Sequence, residues 1–111
     1  MTVKQHYGLK FETVRAEGRK FHFANPEVSI PGSMELAQLL NHLGASESSY
    51  LLESINDVIS SSTSEISYSL DNSQGVWVEY APPNCTISGS QTMTLIDLKS
   101  LVEEWISFTN S

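Results

Sequence analysis

The spacing of apolar residues switches repeatedly between Leu9 and Phe108, from every second residue to every third and fourth and back again, and this constrains the fold more than composition does. Leu9-Lys10-Phe11-Glu12-Thr13-Val14 and Arg19-Lys20-Phe21-His22-Phe23 alternate as half-buried strands do, with the breaker Ala16-Glu17-Gly18 between them. That pattern predicts a β-hairpin. With Leu9, Phe11, Phe21 and Phe23 turned to a core, Lys10, Lys20 and His22 point away and form a basic stripe on the outer face or edge. Asn25-Pro26 and Pro31-Gly32 then bracket Glu27-Val28-Ser29-Ile30, a short edge strand or an extended connector.

Ser33 reads as an N-cap, followed by Leu36, Leu39, Leu40 and Leu43 at helical spacing and by Gly44, which predicts a helix over 33–43. A second helix starts near Ser46 or Ser48, because Leu51, Leu52, Ile55, Val58 and Ile59 recur at three and four residues. Glu53 and Asp57 lie one turn apart on its outward face with no lysine nearby in sequence. After the polar run Ser60-Ser61-Ser62-Thr63-Ser64 a second hairpin follows, with Ile66, Tyr68 and Leu70 on one face of its first strand and Asp71-Asn72-Ser73-Gln74-Gly75 as its turn. In its second strand Val76, Val78 and Tyr80 face the core, and Trp77 and Glu79 face out.

Beyond Pro82-Pro83-Asn84, either Cys85-Thr86-Ile87-Ser88 or Met93-Thr94-Leu95 supplies one more short strand. Thr94 with Asp97 three residues on forms a capping box, and Leu98, Leu101, Val102, Trp105 and Phe108 make one stripe of a last helix running to about Phe108. The order of hairpin, two helices, hairpin and helix implies an α+β domain spanning residues 1–111, with a mainly antiparallel sheet of about four to five strands and about three helices grouped on one face.

Composition enters through charge. The first twenty residues hold five basic side chains (Lys4, Lys10, Arg15, Arg19, Lys20) against two acidic ones, a net +3, whereas the remainder holds one basic and eleven acidic, a net −10. The overall −7 disfavours direct binding to nucleic acid, whose phosphates select lysine and arginine. No apolar run approaches the roughly 18 residues of a membrane span, and residues 1–20 lack the apolar stretch of a signal peptide. A single cysteine, Cys85, leaves no internal disulfide and fits a reducing compartment, so a cytoplasmic location is expected.

Signals for catalysis are weak. The serines fit no Gly-x-Ser-x-Gly elbow, His6, His22 and His42 are not spaced as metal ligands, and the six glycines are scattered singly rather than gathered in a phosphate loop. Nothing near Cys85 in sequence is cationic enough to activate its thiol. The pairs Glu53 with Asp57 and Glu103 with Glu104 fall on outward helix faces, where water screens them. What stands out is Trp77 with Glu79 opposite Glu65, Ser67, Ser69 and Asp71, an aromatic among carboxylates as in an interface anchor for a cationic partner.

The C-terminal third, from Gly75-Val76-Trp77-Val78-Glu79-Tyr80 through Thr92-Met93-Thr94-Leu95-Ile96-Asp97-Leu98 to Glu103-Glu104-Trp105-Ile106-Ser107-Phe108, resembles small immunity proteins of bacterial contact-dependent growth inhibition and related polymorphic toxin systems. The resemblance implies an acidic, single-domain, cytoplasmic protein that neutralises a cognate toxin domain, often a basic nuclease, by covering its active site or substrate surface. The surface argument assigns the contact to Glu53, Asp57, Glu65, Asp71, Trp77 and Glu79. The expectation is a non-enzymatic monomer or weak homodimer without cofactor or metal, touching neither nucleic acid nor membrane. An adaptor or assembly subunit for another protein is the alternative, followed by a small hydrolase or isomerase with a site built from distant residues.

Overall fold

A computed structural model describes residues 3–26, 33–43, 45–61, 67–69, 76–89 and 91–110. In chain order its elements are α1 (Val3–His6), β1 (Leu9–Ala16), β2 (Arg19–Pro26), α2 (Ser33–Asn41), α3 (Ala45–Ile59), β3 (Ser67–Ser69), β4 (Trp77–Ala81), β5 (Asn84–Ile87), β6 (Gln91–Thr94) and α4 (Leu95–Thr109). The architecture is α+β, and the single sheet expected from the sequence gives way to two: a two-stranded antiparallel ribbon, β1-β2, and a four-stranded antiparallel sheet ordered β3-β4-β5-β6.

The reason for the split is local. Ala24 donates its backbone N–H to Asn41 Oδ1 at 2.7 Å and accepts from Asn41 Nδ2 at 3.0 Å, so one side chain of α2 takes both groups that a further strand beside β2 would need. Helix α2 contacts β2 on one side and β5 and β6 on the other, and so stands between the ribbon and the larger sheet.

The ribbon also corrects the expected facing of its second strand. Glu17 and Gly18 have φ of 53° and 76°, the two positive values a tight two-residue turn of type I′ demands, and this turn sets Ala16 opposite Arg19. Phe11 is then paired with Ala24, Thr13 with His22 and Val14 with Phe21. Ala24, not Phe23, is the buried residue of β2, and Phe21 stands 49 % exposed on the same face as Lys10. His22 lies on the other face, with its ring edge-on to Phe108 at 5.1 Å and a 2.9 Å hydrogen bond shared between its Nδ1 and Thr13 Oγ1. The basic residues therefore divide over both faces of the ribbon instead of forming one stripe.

In the larger sheet the alternation holds as expected. Val76, Val78 and Tyr80 are buried, and so are Cys85, Ile87 and Met93 on the neighbouring strands, because both short segments offered by the sequence become strands. Helices α2, α3 and α4 supply Leu36, Leu40, Leu51, Ile55, Leu98, Leu101 and Trp105 to the same cluster. Each such Leu or Ile contributes about 1.5–3 kcal/mol on removal from water. Ser54 Oγ and Tyr80 Oη share a buried 2.8 Å hydrogen bond that fixes α3 against β4. The N-cap of α4 is the expected one: Thr94 accepts from the Asp97 backbone N–H at 3.1 Å through Oγ1. Asp97 in turn accepts from Tyr7 Oη at 2.7 Å, tying the N-terminal segment to this helix. Ile59, expected on the apolar stripe of α3, instead ends the helix exposed. Expected features at Glu27–Ile30, Gly44, residues 62–66 and residues 70–75 lie outside the described residues.

Candidate functional site

Two aromatic and carboxylate groupings emerge on the surface. On β4, Trp77 and Glu79 are one strand repeat apart and project from the face opposite Val78 and Tyr80. The indole N–H of Trp77 donates to Glu79 Oε1 at 2.7 Å. The ring itself lies beside the β5–β6 turn, since a Cβ at Gly89 would stand 3.7 Å from Trp77 Cζ2. Trp77 is thus half-buried and already oriented, with a carboxylate held at its polar edge. Neighbouring positions on the same face, Thr86 and Thr92, are uncharged, and their hydroxyls meet at 3.4 Å.

The second grouping is on α3. Glu53 is exposed and Asp57 half-buried, and Tyr50, which a charge-based reading of the sequence passes over, is 63 % exposed. Positions 50, 53 and 57 follow the i, i+3, i+7 row of a helix and so share one side of it. The signal is present in that spacing. Because Ser54 packs α3 onto Tyr80, this helix covers the inner face of the sheet whose outer face carries Trp77 and Glu79. The sheet layer separates the two groupings. Of the remaining expected contact residues, Glu65 and Asp71 lie outside the described residues.

Among the described residues, Glu53 and Glu79 meet none of the early basic residues in an ion pair. Lys10 Nζ meets Glu12 Oε1 at 3.3 Å within β1, and Lys4 Nζ sits 4.8 Å from the centre of the Phe11 ring. Among the described residues Glu53, Glu79, Glu103 and Glu104 take part in no ion pair, and neither do Arg15, Arg19 and Lys20.

Reactive groups are dispersed. Cys85 is buried on β5, and burial pushes its thiol up to about 12, which suppresses the thiolate that nucleophilic chemistry requires. Tyr7 is raised as well, first by burial and then by its hydrogen bond to Asp97. His42 places Nδ1 2.7 Å from the Gln38 carbonyl oxygen, and His6 packs edge-on against Tyr7. Among the described residues no three His, Cys, Asp or Glu side chains gather as a metal site, and no helix is long and apolar enough to cross a membrane. A groove of about 340 Å³ where α3 ends and α4 begins is lined by Val58, Ile59, Pro82, Pro83, Leu95 and Ile96.

No family model matches the chain, and neither a curated protein nor a solved structure matches it.

Proposed function

We propose that this chain neutralises a cognate basic toxin domain, of nuclease type, by binding it through an acidic surface and covering its active site or substrate surface. The observation that carries the reading is the row Tyr50, Glu53 and Asp57 on α3, an exposed aromatic beside carboxylates and, among the described residues, with no cation paired to Glu53. Aromatic anchors supply buried area at small entropic cost, and a surface carboxylate such as Glu53 selects a cationic partner and accelerates its capture. Trp77 with Glu79 forms a second, smaller contact of the same chemistry on the other side of the sheet. Binding needs no bond to be made or broken. Carboxylates that occupy the basic residues a nuclease uses on phosphates would block it by occlusion.

The test is to mix the purified chain with the toxin domain encoded beside its gene and to measure association at low and high salt. A complex weakened by Tyr50→Ala and by Glu53→Lys supports the reading; absence of a complex at low salt ends it. The apolar groove around Ile59 and Ile96 favours the adaptor reading instead, for which binding would survive high salt and fail on Ile96→Asp.

A further inference from the structure

The β1-β2 ribbon is anchored at one end only. Near its open end Leu9 and Ala24 are buried, Phe11 packs edge-on to Trp105 with ring centres 5.0 Å apart, and Asn41 holds Ala24. Toward the turn burial vanishes: every residue from Thr13 to Phe21 is exposed. Val14 and Phe21, opposite each other across the ladder, are 45 % and 49 % exposed, an apolar pair on a two-stranded ribbon that alone has marginal stability in water. Around them stand Arg15, Arg19 and Lys20, none of them in an ion pair among the described residues.

We propose that this free end is a docking arm that grips the acidic helical surface of a second copy of the chain. Charge selects the occupant: residues 1–26 carry +3, from five basic and two acidic side chains, and residues 27–111 carry −10, from one basic and eleven acidic. Among the described residues the arm's cations pair with no carboxylate of their own molecule, so a neighbouring copy provides the acidic surface. Glu53 on α3 and Glu103 on α4, helices that pack on one another, offer exposed carboxylates outside any ion pair among the described residues to receive the arm. A two-fold dimer lets both arms dock at once, each on the other's body, which doubles the buried area without a new surface. The arm residues play no part in the toxin reading, whereas Glu53 serves both, so the arm variants, which leave Glu53 in place, decide the dimer separately from toxin binding.

Sedimentation velocity on the full chain tests it. The dissociation constant of the dimer is expected to rise by about tenfold or more between about 50 mM and about 500 mM salt. A variant with Arg15→Glu, Arg19→Glu and Lys20→Glu stays monomeric where the parent dimerises, with an unchanged far-ultraviolet circular dichroism spectrum, and Val14→Thr with Phe21→Thr weakens the dimer without reversing charge. Mixing the arm-reversed variant with one carrying Glu53→Arg and Glu103→Arg restores a heterodimer, because the reversed arm again faces docking side chains of opposite sign. A parent chain that remains monomeric at low salt, a dimer indifferent to the arm variants, or an arm that retains duplex DNA or anionic vesicles in place of a second copy overturns the proposal.

Discussion

Asn41 joins elements that no ladder connects, and its removal shows how narrowly the ribbon is held. Asn41→Ala leaves the backbone N–H and C=O of Ala24 without their partner and is expected to cost about 1–3 kcal/mol, read as a shift in the urea midpoint. Cys85 predicts a pH dependence. Its thiol is raised from 9.0 to about 12 by burial, so the folded state favours the neutral form. The associated stability is complete below the ordinary value and is lost as pH climbs through the raised one, and Tyr7 acts in the same direction. Urea titrations should therefore give a constant unfolding free energy up to about pH 8 and a decline above about pH 9, less steep in Cys85→Ala. At this scale the sequence is legible where a cap or an alternation decides the outcome, as at Thr94 and Val78. It misleads at Phe21, since apolarity ranks phenylalanine above alanine for a core, yet the turn at Glu17 and Gly18 sets the register and brings Ala24 inward.

Elements are easier to read than their assembly. Helix α4 begins at Leu95 and ends at Thr109 because Thr94 caps it and Leu98, Leu101, Val102 and Trp105 bury one stripe. Thr94→Ala is expected to lower stability by about 1 kcal/mol and Leu98→Ala by about 2–5 kcal/mol in thermal or denaturant unfolding. Gly18 has open space around it and a φ of +76°, so Gly18→Ala meets no clash and loses about 1–2 kcal/mol to backbone strain alone. What spacing does not convey is that the hairpins belong to different sheets. That depends on Asn41, which belongs to neither hairpin and meets Ala24 only through space, and on α2 standing between β2 and the strands β5 and β6. Tyr50 escapes a reading of charge for a similar reason: carboxylates single out Glu53 and Asp57, while the aromatic one turn before Glu53 carries no charge to mark it.

For the molecule as a whole the decisive quantity is the charge left unmatched. In a chain of −7, Glu53, Glu79 and Glu103 on α3, β4 and α4 meet none of the ribbon's cations among the described residues. The result is an acidic body and a basic arm, each able to meet a partner of opposite sign. The central claim is that the acidic body captures a cationic macromolecule. Stopped-flow association with the proposed basic toxin domain tests this most directly. The rate is expected to fall by roughly tenfold or more as salt rises from about 50 mM to about 500 mM, and to fall further for Glu53→Lys. A rate independent of salt, or no association at low salt, would contradict it.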